Sequence, residues 1–148
     1  MIWKQDISLT TLNDSSKDSL AHHLGIVFTE IGPDYLKATM PVDSRTVQPY
    51  RILHGGASVV LAETLGSVAG LISLKDPNRE MTVGVEINAN HLKPAREGEI
   101  VEGIVRPVRV GRSIQVWAID IFNPKGEMTC TSRITLAVVP NKTNIKRI

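Results

Sequence analysis

The feature that most constrains the fold is a run of apolar and small residues, 55–74, that contains one ionisable side chain, Glu63. Its length fits a single long helix, and a helix that is apolar on nearly every side belongs in the centre of a fold. The run resembles a membrane span, but a carboxylate near its middle would cost about 2.5–3.5 kcal/mol there by insertion scales. Aromatic and basic anchors on both flanks, which are typical of a span, are not found. We therefore predict a buried central helix.

Alternating apolar and polar residues predict strands before and after this helix. Turn signals separate them, among them Gly32-Pro33-Asp34 and Asn123-Pro124-Lys125-Gly126. Short turns between the strands after the helix predict antiparallel neighbours, and one apolar helix needs a sheet that encloses it. The expected fold is therefore α+β, an antiparallel sheet wrapped around one long central helix, with a short helical or irregular segment at 9–20. The predicted strands are residues 24–31, 35–42, 82–92, 99–110, 114–122 and 128–139.

Size and composition narrow the classes of function. At 148 residues the chain is expected to form one domain, with a flexible tail at 141–148. A net charge of +2 and an aromatic content of 4% do not favour a nucleic-acid partner. The single cysteine, Cys130, excludes an intrachain disulfide, and the start of the chain has no apolar leader, so we expect a cytoplasmic protein. CxxC and HExxH motifs are missing from the sequence, and we expect neither a metal nor a cofactor.

The start of the helix has the composition of an anion-binding site. Gly55 and Gly56 follow His54, and glycines at a helix start leave backbone N–H groups accessible beside the positive end of the helix dipole. Glu63 lies among Val, Leu and Ala, where a carboxylate is costly unless it has a partner or a function. A site for a developing oxyanion and a sequestered carboxylate are the two parts needed to attack an acyl group. The alternative for Glu63 is a structural buried salt bridge.

The spacing of these two features predicts more than one subunit. Gly55 and Glu63 are eight residues apart, which is roughly 12 Å along a helix axis, whereas both must lie about 3 Å from one reacting carbonyl. A two-fold dimer with antiparallel helices would bring them together at two equivalent sites. The helix also carries a stripe of small and polar residues, which indicates either a ligand or plain packing through glycines. The stripe consists of Gly56, Glu63, Gly66, Ser67 and Gly70.

At these residues the chain resembles the hotdog-fold acyl-CoA thioesterases, specifically the bacterial subgroup that hydrolyses aromatic acyl-CoAs. The resemblance is nearest to the branch acting on 1,4-dihydroxy-2-naphthoyl-CoA in menaquinone synthesis. A branch that proofreads acylated carrier proteins in siderophore synthesis is close behind. Nearly the whole chain is covered, through Met1-Ile2-Trp3-Lys4, Ala38-Thr39-Met40-Pro41-Val42-Asp43, Gln48-Pro49, Leu53-His54-Gly55-Gly56, Leu61-Ala62-Glu63, Ile87-Asn88-Ala89-Asn90-His91 and Gln115-Val116-Trp117.

The resemblance implies a catalytic role for four residues. Glu63 would be either the nucleophile or the base that activates water, and the Gly55 N–H would polarise the thioester carbonyl. Gln48 and His54 would orient the thioester. For His54 and Gln48 the alternatives are a helix-cap neighbour and a plain loop residue. The family also implies a dimer of dimers, which agrees with the helix-length argument.

The resemblance also implies contacts with the rest of the substrate. Ser67 would lie beside the carboxylate or the acyl ring, unless it bonds a carbonyl one turn back. His91, with Gly84 and Val85 on its strand, would contact the acyl group or the pantetheine arm, unless it is a core histidine. The alternation predicts that His91 shares a face with four apolar residues, Val83, Val85, Ile87 and Ala89.

Two further features concern the substrate. The family commonly has Phe-Gly where this chain has Tyr50-Arg51, which adds bulk and charge at the site entrance. Basic residues bordering turns could bind the phosphates of coenzyme A, although each could equally lie on a solvated face. We single out Lys93 and Arg112 for this role, beside Arg96 and Arg109.

Three functions stay open on the sequence alone. The favoured one is hydrolysis of an acyl-CoA or of an acylated carrier protein. A hotdog hydratase or dehydratase could pair His54 with Glu63, but the His-Phe-Pro signature of that class is absent. A ligand-binding module without turnover is the third, and such modules usually append a DNA-binding domain, for which this chain has no room.

Overall fold

The structure, a computed structural model, describes residues 1–143, so part of the predicted tail at 141–148 lies outside the described residues. Two short helices, α1 (Leu9–Ser15) and α2 (Leu20–His23), precede the strands β1 (Val27–Ile31) and β2 (Leu36–Pro41). The long helix α3 (Gly55–Ile72) follows. The chain then forms β3 (Glu80–His91), β4 (Ile100–Val110), β5 (Ile114–Phe122) and β6 (Met128–Pro140).

The strands form one antiparallel sheet in the order β1-β2-β4-β5-β6-β3. This confirms the predicted α+β fold of an antiparallel sheet around one central helix. The expectation that short turns make all four late strands neighbours holds for β4, β5 and β6, but it is wrong for β3. Residues 92–99 carry the chain away from β3 so that β4 pairs with β2 and β5, while β3 pairs with β6. A strand pattern determines which face is buried but not which strand is the partner.

One face of α3 packs into the sheet. Leu61, Leu65 and Ala69 are fully buried there. The helix is long and apolar enough to cross a membrane by composition alone, yet half of its residues are buried inside the fold. The stripe of small and polar residues divides in two. Gly66 and Gly70 allow close packing, because a Cβ on them would lie 2.4 Å and 2.3 Å from side-chain atoms of Ile134 and Leu136 on β6, respectively. Gly56, Glu63 and Ser67 are not buried.

A bulge alters which residues of β3 face the helix. The register between β3 and β6 shifts between Gly84 and Glu86, so one extra residue is inserted there. Gly84 faces Glu63 and Thr82 faces Gly70, whereas Val85 is 62% exposed. The prediction that Val83 and Val85 share a face with His91 is therefore wrong, although Ile87 and Ala89 do pack against the core as expected.

The N-terminal segment is part of the core. Trp3 is 7% exposed, its indole N–H donates to the Gly32 carbonyl at 2.7 Å, and its ring stacks on Trp117 with centroids 6.1 Å apart. The next two residues close the end of α3: the Lys4 N–H donates to the Ile72 carbonyl, and Nε2 of Gln5 donates to the Leu74 carbonyl. Carbonyl groups that a helix end leaves without partners are thereby satisfied.

Candidate active site

The first turn of α3 presents one unused backbone N–H. His54 is the N-cap, and its Nδ1 accepts a hydrogen bond from the Gly56 N–H at 2.8 Å. Its carbonyl accepts from Ala57 and Ser58. The Gly55 N–H donates to no residue of 1–143. The cap therefore accounts for the neighbouring amides and leaves the Gly55 N–H, at the positive helix end, available to a ligand oxygen.

His91, at the end of β3, closes over this helix start. A Cβ on Gly55 would lie 2.8 Å from Nε2 of His91, which is closer than real Cβ contacts. A side chain at position 55 would therefore crowd the imidazole, which would have to shift, and would add bulk beside the free N–H. The His91 side chain is exposed rather than enclosed in the core, so the core-histidine alternative does not hold.

A cavity of about 430 Å³ opens beside this helix start. Gln48 lies on its wall in a tight turn, in which the Arg51 N–H donates to the Gln48 carbonyl at 2.8 Å. The Gln48 side chain accepts from the Tyr50 N–H, so its Oε1 is turned onto its own loop. Ser58, 3% exposed, also lines the cavity and was not singled out from the sequence. Its position one turn after Gly55 is the signal that could have identified it.

Glu63 lies in a second group, farther along α3. Its Oε1 accepts a hydrogen bond from the Ser67 hydroxyl at 3.1 Å. A Cβ on Gly84 would lie 3.0 Å from the same oxygen, so the carboxylate rests against the β3 backbone. Glu63 is half-buried and forms no ion pair with any described residue. The structural salt bridge considered for Glu63 is thus not found among residues 1–143.

The structure therefore brings the predicted residues into two groups. Gln48, Gly55, His91 and Lys93 surround the cavity at the start of α3, with His54 beside them as the cap. Glu63, Ser67 and Gly84 form the second group, with Val85 exposed on the adjoining bulge. Because α3 is one unbroken helix from Gly55 to Ile72, the eight residues between Gly55 and Glu63 keep their separation of roughly 12 Å.

The two basic residues singled out for coenzyme A lie apart. Lys93 is on the wall of the cavity and pairs with Glu127 at 2.6 Å. Lys93 first and Asn123 second hold the pKa of Glu127 below its usual value. Arg112 is not on this wall; it lies in the β4–β5 turn, beside a different cavity at the other end of α3. The structure thus places Lys93, but not Arg112, at the start of α3.

Arg51 occupies a backbone conformation that suits glycine. Its φ is +60°, in the left-handed region that side chains with a Cβ adopt at a cost. Its guanidinium binds the Glu97 carboxylate in a bidentate pair, which raises the pKa of Arg51, and its carbonyl accepts from the Glu97 N–H. This pair joins the Gln48 turn to the segment at 92–99, and Arg51 is not among the residues that line the cavity.

Comparisons of sequence and of structure with known proteins all match this chain to thioesterases. Residues 50–130 match the Thioesterase superfamily. The 1,4-dihydroxy-2-naphthoyl-CoA hydrolase of Escherichia coli K12 is 51% identical over 139 residues, 94% of this chain and 100% of that protein. The proofreading thioesterase EntH of Cronobacter sakazakii is 47% identical over 139 residues, 94% of this chain and 99% of that one. The crystal structure of a thioesterase from Haemophilus influenzae has a TM-score of 0.91 and 45% identity, and covers 99% of this chain and 100% of its own.

Proposed function

Because this chain belongs to the thioesterase superfamily and is a thioester hydrolase, we propose that it hydrolyses aromatic acyl-CoA thioesters at sites shared between two subunits. The observation that carries this proposal is Glu63, a half-buried carboxylate with no ion pair among the described residues and with a hydroxyl donor beside it. A carboxylate that no cation pairs with is free to contact an electrophilic carbon or a water molecule.

The open edge of β3 supports a dimer. Within residues 1–143 this strand pairs with β6 on one side and with no strand on the other. Val83 and Val85 are 37% and 62% exposed along it. A long edge strand with exposed apolar side chains favours pairing with another chain. Since a two-fold axis makes paired strands and helices antiparallel, a second copy of this chain is the natural partner.

The same symmetry would complete the site. Along β3, Gly84 lies against Glu63 and His91 lies against Gly55. A two-fold axis passing near the middle of this span would place Gly84 of one copy opposite His91 of the other. Glu63 of one subunit would then approach the free Gly55 N–H of its partner. The dimer would contain two such sites, and a dimer of dimers would contain four.

The chemistry follows from this arrangement. The Gly55 N–H would bind the thioester carbonyl oxygen and stabilise its developing negative charge. Glu63 would then act in one of two ways. Either its carboxylate attacks the acyl carbon, the C–S bond breaks to release the thiolate, and water hydrolyses the mixed anhydride; or it removes a proton from a water molecule that attacks the carbon directly. Neither route requires a metal or a cofactor.

The surroundings of Glu63 favour an apolar acyl group. Val60 and Leu71 lie half-buried on α3. Val60 is three residues before Glu63 and Leu71 is four residues after Ser67, so both share the helix face of the carboxylate. Such a surface suits the body of an aromatic acid, and Ser67 is the polar group beside it. The E. coli relative named as a 1,4-dihydroxy-2-naphthoyl-CoA hydrolase makes 1,4-dihydroxy-2-naphthoyl-CoA the first substrate to test.

A second candidate substrate is an acylated carrier protein. A relative of almost the same identity, 47%, is named a proofreading thioesterase. A carrier protein delivers its acyl group on the same pantetheine arm, so the catalytic groups would serve both. An acyl-CoA and an acylated carrier protein would differ in the part that contacts the exposed rim of the cavity, where Lys93 lies.

The test is a panel of thioesters scored by kcat/KM with release of free thiol. It contains 1,4-dihydroxy-2-naphthoyl-CoA, benzoyl-CoA, decanoyl-CoA and a benzoylated carrier protein. We expect the aromatic CoA esters to give the highest values. Crotonyl-CoA is included to detect hydration, and no hydration is expected. Aliphatic preference, or turnover of the carrier protein alone, would contradict the proposed substrate but not the proposed catalytic residues.

The shared site is tested by mixing two inactive variants. Glu63→Gln and Gly55→Ala subunits are each expected to lose nearly all turnover, while Glu102→Gln, an exposed change on β4, is expected to retain it. In a mixed dimer one site would carry both changes and the other site would carry neither. Co-expression should therefore restore roughly a quarter of wild-type activity. Mixed dimers that form but remain inactive would overturn the shared site.

A further inference from the structure

A second cavity, of about 550 Å³, lies at the C-terminal end of α3. We name it the Gln115 cavity, and its main walls are Leu74, Lys75, Arg79, Arg112, Gln115 and Val138. It shares no lining residue with the cavity at the start of α3. Ser73 and Glu63 are ten residues apart on the chain, which is roughly 15 Å of helix.

The floor of this cavity holds an unused hydrogen-bond donor. Gln115 is 1% exposed, and its Oε1 accepts from the Trp117 indole N–H at 3.0 Å. That bond fixes the orientation of the amide, and its Nε2 donates to no residue of the described chain. Because no fully enclosed side-chain nitrogen within residues 1–143 lacks a partner, Nε2 must face the opening. Gly70 makes room for the side chain, since a Cβ there would lie 3.0 Å from Oε1.

The rim is predominantly cationic. Lys4, Lys75, Arg79 and Arg112 border the cavity, against two carboxylates, Asp76 and Glu80. Arg79 pairs with Asp76 at 3.5 Å, while Lys4, Lys75 and Arg112 have no ion pair among residues 1–143. A buried amide donor beneath unpaired cations is suited to an oxygen that carries negative charge.

The remaining walls indicate the rest of the ligand. Leu74 and Val138 are buried or half-buried, and Val110 is 45% exposed at the mouth. Such side chains receive an apolar body. The cavity has no aromatic side chain on which a nucleotide base could stack. A thioester hydrolase also releases a carboxylic acid at each turnover, so acids of this kind are produced where the protein acts.

We propose that the Gln115 cavity binds a small organic carboxylate with an apolar body, at a site separate from the one that hydrolyses the thioester. Nε2 of Gln115 donates to one carboxylate oxygen, Lys75 and the other unpaired cations supply the opposite charge, and the body lies on Leu74 and Val138.

The test uses the side-chain amides as reporters. The glutamines of the chain are Gln5, Gln48 and Gln115, so their NH₂ signals can be assigned in a ¹⁵N spectrum by substitution. On titration of the intact protein with 2-naphthoate, the Gln115 signal should shift and saturate. The uncharged 2-naphthamide and inorganic phosphate, which lack the charge and the apolar body respectively, should each bind at least about tenfold more weakly. Movement of the Gln48 signal separately reports binding at the start of α3.

Two variants and a control complete the test. Lys75→Gln should weaken the Gln115 titration about threefold. Gln115→Glu keeps an acceptor for Trp117 but removes the donor, and it should weaken 2-naphthoate binding at least about tenfold, followed in this variant and in wild type through the indole N–H signal of Trp117. Lys125→Gln, the same charge change on the distant β5–β6 turn, should leave binding unchanged. An unmoved Gln115 signal, equal binding of phosphate, or an unaltered Lys75→Gln titration would each overturn the proposal. The lysine variant decides the question even where Gln115→Glu fails to fold.

Discussion

The Ser67 hydroxyl donates a hydrogen bond to Oε1 of Glu63 across 3.1 Å, one turn farther along the same helix. The same oxygen also lies against the backbone of β3, since a Cβ on Gly84 would lie 3.0 Å from it. Since a carboxylate that reacts must be held at a defined distance from its target, this bond would give Ser67 a positioning role in the proposed mechanism.

Removing the Ser67 hydroxyl should slow turnover without preventing folding. We expect Ser67→Ala to lower kcat about five- to tenfold, because one hydrogen bond to a charged group is lost. Ser67→Thr keeps the hydroxyl and is the matched control, so it should retain most of the activity. The measurement is steady-state thiol release. An alanine variant as active as wild type would show that the bond does not position Glu63.

Gly55→Ala should be far more harmful than the same change at its neighbour. A Cβ on Gly55 would lie 2.8 Å from His91 Nε2, whereas one on Gly56 would meet only the His54 ring, at 3.0 Å. Alanine keeps the backbone N–H but adds a methyl group beside it and against His91. We expect Gly55→Ala to lower kcat at least about a hundredfold, because the substrate carbonyl can then no longer use that donor, and Gly56→Ala to lower it much less. Gly55→Ala combined with His91→Ala separates the causes: recovered activity would show that the clash with the imidazole, and not crowding of the donor by the methyl group, is responsible.

Neutralising Glu127 should improve the capture of coenzyme A esters. Lys93 is paired with Glu127 at 2.6 Å, so a substrate phosphate must compete with that carboxylate for the ammonium group. Glu127→Gln should raise kcat/KM about two- to threefold at low ionic strength, and the gain should vanish in high salt. Lys93→Gln should act in the opposite direction. A Glu127→Gln effect independent of salt would argue against the phosphate contact.

Glycine at position 51 should stabilise the protein, whereas alanine should not. Arg51 has a φ of +60° and is joined to Glu97. Arg51→Gly relieves the backbone and loses an exposed ion pair, which is worth little. Arg51→Ala loses the pair and keeps the strain. We expect the urea midpoint to rise by roughly 0.2–0.5 M for glycine and to fall for alanine. A lower midpoint for glycine than for alanine would contradict this account.

The single cysteine should not react in the native protein. Cys130 is fully buried on β6, and burial first and the nearby Asp120 carboxylate second raise the pKa of its thiol. Since the thiolate is the reactive form, a raised pKa lowers its population at pH 8 still further. Ellman's reagent should label less than about a tenth of the protein before denaturation and all of it afterwards. Rapid labelling of the native protein would contradict this prediction and would show that the Cys130 thiol on β6 is accessible to solvent.

The sequence predicts local features of this fold well. The strand at 114–122 has the predicted limits, because glycine-containing turns border it on both sides. The Glu63–Ser67 contact follows from helical spacing, which places residues four apart on one face. Such features depend only on neighbours along the chain.

Long-range features could not be predicted in the same way. Alternation does not specify that β3 pairs with β6, and the only local signal for the bulge at Val85 is the isolated Gly84 beside it. The approach of His91 to Gly55 joins residues far apart in sequence, so it depends on how helix and sheet dock. The contact of Arg51 with Glu97 is a further example, since the two residues are far apart in sequence.

The stacking of Trp3 on Trp117 makes the chain's own fluorescence a selective signal. These are its only two tryptophans, and they form one buried pair where the N-terminal segment meets the sheet. Tryptophan emission therefore reports whether the first residues of the chain are packed on the core. It does not respond to local unfolding around Gly55. Unfolding can be followed both by this emission and by circular dichroism. A fluorescence transition at a lower denaturant concentration than the circular-dichroism transition would reveal release of the N-terminal segment as a distinct first event.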